Sequence, residues 1–79
     1  RRVTWGDIER YCRRHEGFEI RTKGGDKIIV GPAAKNVGGR PVVRIGHTST
    51  RNSKTEVLKC YVSLLHRAFG ITVDDLLKK

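Results

Sequence analysis

FEIRTKGGDKIIV (residues 18–30) decides the fold of this chain, because it has the pattern of a β-hairpin. In residues 18–23, apolar or β-branched side chains alternate with charged ones, which is the period of a strand with one face in water. Residues 23–26 have the composition of a tight turn. The apolar run that follows, Lys27-Ile28-Ile29-Val30, predicts the returning strand, closed by Gly31-Pro32. Two antiparallel strands are therefore expected at the centre of the chain.

A third strand is predicted beyond a loop. Residues 33–40 contain no apolar periodicity, and Gly38-Gly39 suits a second hairpin turn. Residues 41–45, PVVRI, are apolar and β-branched and end at Gly46. We expect them to extend the sheet to three strands.

Helices are predicted on both sides of the strands. Thr4 and Asp7 have the spacing of a capping box, and the helix that they begin is expected to stop near Gly17. Ser53 and Glu56 repeat that spacing before an apolar stripe that runs from residue 57 to residue 69. A last short turn is expected from Thr72 to Leu77. The basic residues of the helices, among them Arg10, are expected to lie on solvated faces.

The order helix, three antiparallel strands, helix predicts an α+β two-layer α-β-β-β-α domain with both helices on one face of the sheet. The other face would be open to solvent. We expect it to carry a group of neighbouring cations: Arg21, Lys23, Lys27 and Arg44.

Composition indicates a polyanionic partner. The 79 residues fit one domain, residues 1–79, and carry a formal net charge of +9. Between residues 20 and 55 a single acid, Asp26, stands among eight cations: Arg21, Lys23, Lys27, Lys35, Arg40, Arg44, Arg51 and Lys54. Such a surface favours nucleic-acid phosphates. No apolar segment is long enough to predict a membrane partner, and Cys12 and Cys60 are expected to be reduced, mostly buried thiols of a cytoplasmic protein.

Four features occur in order along the chain. A first helix runs into Gly17-Phe18, a glycine-rich turn opens the second strand, a third strand ends in Ile45-Gly46-His47, and a long helix is followed by Gly70-Ile71 and a short acid-capped turn. From about Trp5 to Leu77 this order resembles the HicA family, the small ribonuclease toxins of HicA–HicB toxin–antitoxin pairs. The resemblance implies a fold like the double-stranded RNA-binding domain, cleavage of mRNA without a metal or other cofactor, and an acidic antitoxin protein as partner.

The chain departs from the family at its hallmark motif. The family has Gly-Ser-x-His at the turn, with the histidine as catalytic residue, whereas this sequence has Gly24-Gly25-Asp26-Lys27. As in the family's motif, the backbone of Gly24 and Gly25 is expected to lie at the nucleic acid. In one hypothesis, Asp26 acts as the base and Lys27 stabilises the negative charge of the phosphorane. In the other, Lys27 only binds phosphate. The departure leaves enzymatic activity open.

His47 is the second catalytic candidate, because it follows the third strand where family members often carry a histidine. Imidazole can both accept and donate protons near neutral pH. The alternative is a surface histidine that hydrogen-bonds Ser49 or Thr50. His15 is expected to lie in the core or cap its helix, and the three histidines do not have the spacing of a metal site.

Two further cations are predicted to bind phosphate from a loop. Residues 48–53 are expected to lead into a helix N-terminus, where free amides favour an anion, with Arg51 and Lys54 beside it. An ordinary helix cap is the alternative for the same residues. The aromatic residues fall at core-facing positions, so RNA read through its backbone is favoured over stacked bases.

The sequence therefore predicts an RNA-binding, HicA-like toxin domain and a candidate mRNA endonuclease. The predicted phosphate-binding residues are Arg21, Lys23, Gly24, Gly25, Lys27, Arg40, Arg44, Arg51 and Lys54. Two alternatives stay open: a non-catalytic module for duplex RNA or DNA that uses its basic sheet face, and an interaction domain whose charge docks it to an acidic protein.

Overall fold

A computed structural model describes residues 2–32 and 41–78 of the chain. Helix α1 (Trp5–Arg14) is followed by strands β1 (Glu19–Lys23), β2 (Asp26–Val30) and β3 (Val42–Ile45). A 3₁₀ turn (His47–Ser49) precedes helices α2 (Lys59–Phe69) and α3 (Val73–Leu77). The predicted α+β class with a three-stranded antiparallel sheet is confirmed. The predicted loop with Gly38-Gly39, together with Lys35 and Arg40, lies outside the described residues.

The sheet has the order β1-β2-β3, and its register assigns each side chain to a face. Ile20 pairs with Ile29, and Ile29 pairs with Val43. Because side chains alternate along a strand, these three share one face, and Ile45 lies on it two residues beyond Val43. Arg21, Ile28 and Arg44 form the neighbouring cross-strand row and lie on the opposite face. We call this opposite face the open face.

The core forms between the first of these faces and the helices. Ile29, Val43 and Ile45 are buried in one cluster with Ile8 of α1 and Leu65 of α2. Trp5, Val57, Ile71 and Leu76 belong to the same cluster. Phe18 contacts Phe69 edge to face, with ring centroids 5.3 Å apart, and so joins the start of β1 to the end of α2. The end of the sheet that follows Ile45 is thus anchored to the buried core.

The predicted start of α2 is wrong. The helix begins at Lys59 after Leu58, and no side chain caps it, so Ser53 and Glu56 do not form a capping box there. Residues 53–57 instead pair with the N-terminal segment: Gly6 N–H donates to the Ser53 carbonyl and Val57 N–H to the Val3 carbonyl. These backbone bonds, with a bridge between Thr4 and Glu56, keep the segment out of the helix, and local capping preference could not overcome them.

The other two predicted caps are present. Thr4 and Asp7 form a capping box at α1, and Thr72 and Asp75 form one at α3. Burial opposes ionisation of Asp7, but the Thr4 backbone N–H and the Arg10 guanidinium outweigh it and lower the pKa of that carboxyl. Arg10 also donates to the carbonyls of Leu76 and Lys78. It is therefore a structural residue that joins α1 to α3, in contrast to the solvated role expected of it.

Burial corrects the expectation for one cysteine, whereas the capping role considered for His15 is confirmed. Cys12 is buried, and burial raises the pKa of its thiol to about 11, whereas Cys60 is exposed. His15 is exposed and caps α1: its backbone N–H donates to the Tyr11 carbonyl, and its ring stacks on Tyr11. No helix within the described residues is both long and apolar enough to cross a bilayer.

Candidate nucleic-acid interface

One end of the sheet brings together the β1–β2 turn and the segment that follows β3. Gly24 adopts a left-handed conformation in the turn, with φ of 61°, which suits glycine. A Cβ atom built on Gly25 would lie 3.3 Å from Cβ of His47, so the turn is in contact with this histidine. The glycine-rich turn and His47, which are 21 or more residues apart in sequence, are neighbours in the fold.

Asp26 links this end of the sheet to two other candidate residues. Its Oδ2 accepts hydrogen bonds from Nε of Arg44 at 2.8 Å and forms an ion pair with Nη2 at 2.7 Å. Its Oδ1 accepts from the backbone N–H of His47 at 3.0 Å and lies 3.6 Å from Nδ1 of the same residue. We call Asp26, Arg44 and His47 the sheet-end cluster.

The cluster presents the side chains of Arg44 and His47 to solvent. The side chains of Arg44 and His47 are 60% and 66% exposed, whereas that of Asp26 is 22% exposed. The less exposed carboxylate therefore fixes the Arg44 guanidinium and the backbone of His47, and the imidazole lies beside it. Because Asp26 uses only one edge of the Arg44 guanidinium, the remaining N–H groups are available to an anion.

The environment of Asp26 makes it a poor base. The hydrogen bond from Arg44, followed by that from the His47 backbone, lowers the pKa of the Asp26 carboxyl. A carboxylate with a lowered pKa holds a proton less readily than an ordinary one. The geometry thus favours a positioning role for Asp26 over the base role considered from the sequence.

The predicted group of four neighbouring cations is separated by the register. Arg21 and Arg44 lie on the open face on either side of Ile28, with Cα atoms about 10 Å apart as two strand spacings require. Lys23 shares this face, opposite Asp26. Lys27 pairs with Thr22 and Ile45 and therefore lies on the other face, where its amine donates to Thr22 Oγ1 at 2.9 Å. Arg21 forms an ion pair with Glu19.

The loop after His47 does not form the expected phosphate site. Ser49 and Thr50 are buried, and the Thr50 hydroxyl donates to the Gly46 carbonyl, so neither side chain is presented to a ligand. The helix whose N-terminus is predicted to bind the anion begins at Lys59, six residues beyond Ser53. Arg51 and Lys54 are exposed, and their side chains form no ion pair within the described residues. They are surface cations and do not belong to a preorganised phosphate-binding site.

One residue near the cluster was not identified from sequence. Tyr61 was assigned to the core by its helical period, and its ring does pack against the core. Its hydroxyl oxygen, however, lies 2.8 Å from the position that a Cβ on Gly46 would occupy. A glycine directly before a candidate histidine was the sequence feature that could have indicated a close approach.

Comparison with protein-family models, curated proteins and solved structures found no match to this chain. Within residues 2–32 and 41–78, no three His, Cys, Asp or Glu side chains come together in a way that could hold a metal ion. The sheet-end cluster and the net charge of +9 are therefore the features of the chain that bear on its function.

Proposed function

We propose that this chain is an RNA-binding domain of the HicA-like toxin type, whose RNA site is the sheet-end cluster and the adjoining open face. The observation that carries the proposal is the arrangement of Asp26, Arg44 and His47. A half-buried carboxylate accepts hydrogen bonds from the exposed guanidinium of Arg44 and from the backbone N–H of His47, whose exposed imidazole lies beside it with Nδ1 3.6 Å from Oδ1. Guanidinium groups bind phosphate through several N–H donors at once, so Arg44 suits an RNA backbone.

The architecture supports this proposal. The helix–three strands–helix order, with Ile29, Val43 and Ile45 of the core cluster on one face of the sheet, agrees with the double-stranded RNA-binding type of fold that the resemblance implies. The net charge of +9 supplies the long-range attraction for a polyanion. An acidic antitoxin would compete for the same cations as RNA.

As an enzyme, the domain would cleave RNA by internal transesterification. The His47 imidazole takes the proton of a ribose 2′-hydroxyl, and the oxygen attacks the adjacent phosphorus while Arg44 stabilises the added negative charge. The bond to the 5′-oxygen breaks, and this oxygen takes a proton from the imidazolium formed in the first step. The products are a 2′,3′-cyclic phosphate and a 5′-hydroxyl end.

A second candidate function, binding without cleavage, is favoured by the state of Asp26. Because the pKa of this carboxyl is lowered and its oxygens are engaged by Arg44 and His47, the cluster contains one proton-transfer group and not two. Acid–base catalysis of RNA cleavage is most effective with two. The same residues could therefore hold a nucleic-acid backbone in a non-catalytic module.

Incubation with a long single-stranded RNA in EDTA distinguishes the two functions. If the domain is a ribonuclease, we expect cleavage that is reduced at least about 100-fold by His47→Ala, and a smaller loss with Lys27→Ala. His66→Ala, which removes another exposed histidine on α2, is the matched control and should retain full activity.

Gel shifts on the same samples test the binding function. Intact RNA that shifts, and shifts less as salt rises, would establish the non-catalytic module, with Arg44→Ala reducing the dependence of log Kd on log salt by about one unit. An RNA that neither shifts nor is cut would contradict both functions, and would favour the interaction domain that docks to an acidic protein.

A further inference from the structure

The hydroxyl of Tyr61 reaches the end of the sheet from the helix layer. Tyr61 lies in the first turn of α2, and its half-buried ring packs against the core. Its oxygen lies beside Gly46, directly before His47 in the chain. A polar atom of α2 is thus placed next to the sheet-end cluster.

The hydroxyl has no partner among the described residues. No hydrogen bond joins it to residues 2–32 or 41–78, although no buried polar side-chain atom in this part of the chain lacks one. The hydroxyl oxygen is therefore exposed to solvent. A solvated phenol can donate its proton to a ligand.

Gly46 is explained by this close approach and not by its backbone. Its φ of −63° and ψ of 153° are accessible to every residue type, so the conformation does not require glycine. A Cβ at this position would lie 2.8 Å from the Tyr61 oxygen, closer than such atoms come in proteins. The glycine leaves the space in which the hydroxyl stands.

Charge on both sides of this point suggests what the hydroxyl contacts. Arg44 and His47 lie on one side of the sheet end, and Lys27, paired with Ile45 in the register, lies on the other. A nucleic-acid backbone that passes from one side to the other would place a phosphate near Gly46. A phenol O–H there would donate to a non-bridging phosphate oxygen without adding charge.

We infer that Tyr61 is an RNA-contacting residue, whose hydroxyl binds a backbone phosphate next to the one held by Arg44 and His47. This inference rests on the proposed RNA-binding function and adds a residue to its site. It assigns Gly46 the role of keeping that hydroxyl accessible.

Tyr61→Phe tests the inference, because it removes the hydroxyl and keeps the ring in the core. Binding of a fluorescently labelled oligouridylate in EDTA should weaken about tenfold, the loss typical of one hydrogen bond to a charged group. The dependence of log Kd on log salt should not change, because no charge is lost. Arg44→Ala should reduce that dependence by about one unit.

Tyr11→Phe is the matched control, since Tyr11 is also half-buried but lies in α1, stacked on His15. It should bind RNA as the unchanged protein does. Gly46→Ala provides a second variant that keeps the hydroxyl but displaces it, and it should also weaken binding about tenfold.

The outcomes separate this inference from the proposed function. If Arg44→Ala weakens RNA binding while Tyr61→Phe and Tyr11→Phe both bind RNA as tightly as the unchanged protein, the inference is overturned. The proposed RNA site at Arg44 is then still supported. If the unchanged protein does not bind RNA, both are overturned. If a thermal melt shows Tyr61→Phe to be partly unfolded, Gly46→Ala decides, and unchanged binding by that variant overturns the inference.

Discussion

The two carboxylate oxygens of Asp26 bind different partners, Arg44 and the backbone of His47. This arrangement predicts a dependence of stability on pH. Arg44 and His47 lower the pKa of Asp26 in the folded state, so the unfolded chain binds the proton more readily and acid favours unfolding. The stabilisation is present above the unfolded value of about 4 and is lost as the pH falls through the lower, folded value.

Asp26→Asn should therefore reduce the free energy of unfolding near neutral pH and have little effect in strong acid. Urea unfolding of both proteins at about pH 7 and about pH 2 measures this difference. Asp7 and Asp75, whose pKa values are also lowered, are present in both proteins, so their contributions cancel. An equal difference at both pH values would show that the ionised carboxylate does not stabilise the fold.

At the scale of single residues, part of the site could be predicted and part could not. Asp26 and His47 were identified as candidates from the turn and from the end of the third strand. The contact between Asp26 and Arg44 could not be derived, because it depends on the register of β2 against β3, which a long connecting segment does not fix. The face of Lys27 was misjudged because alternation was not carried from β1 through the turn.

At the scale of elements, the strands were predictable because their alternation is local and is reinforced by the turn between them. All three strands occur where the sequence places them, to within one residue at each end. The start of α2 was not predictable in this way. It is set by pairing between residues 53–57 and the N-terminal segment, which are about 50 positions apart.

Two single substitutions test the helix boundaries. Thr4→Ala removes a capping hydroxyl that is present at α1, and should reduce the free energy of unfolding by about 1 kcal/mol. Ser53→Ala removes a hydroxyl that only the sequence pattern assigns to a cap, and should change it by less than about 0.5 kcal/mol. Urea unfolding of the two variants compares them directly. A comparable loss in Ser53→Ala would place the start of α2 before Lys59.

At the scale of the whole molecule, the short helix α3 is required to close the core. Leu76 is 1% exposed and lies in the same cluster as Ile8 and Leu65. Leu76→Ala should cost about 3 kcal/mol, a large share of the roughly 5 kcal/mol expected for a domain of this size. Thermal unfolding followed by circular dichroism would show the loss.

Leu58→Ala is the matched control, because the same side chain is truncated at a position that is 55% exposed. It should change the free energy of unfolding by less than about 0.5 kcal/mol. Equal losses in the two variants would contradict the packing of α3 against the core.

The strand order has a consequence for how copies of this chain meet one another. Because β1 is an edge strand of the sheet, its outer backbone groups could pair with the same strand of a second copy, as happens in aggregation. The exposed Arg21 and Lys23 would then bring like charges together on the two paired β1 strands, and their repulsion would oppose this pairing. A bound polyanion neutralises those charges. The cations that we propose to bind RNA would thus also protect the free protein from self-association, and saturation with RNA or high salt would remove that protection.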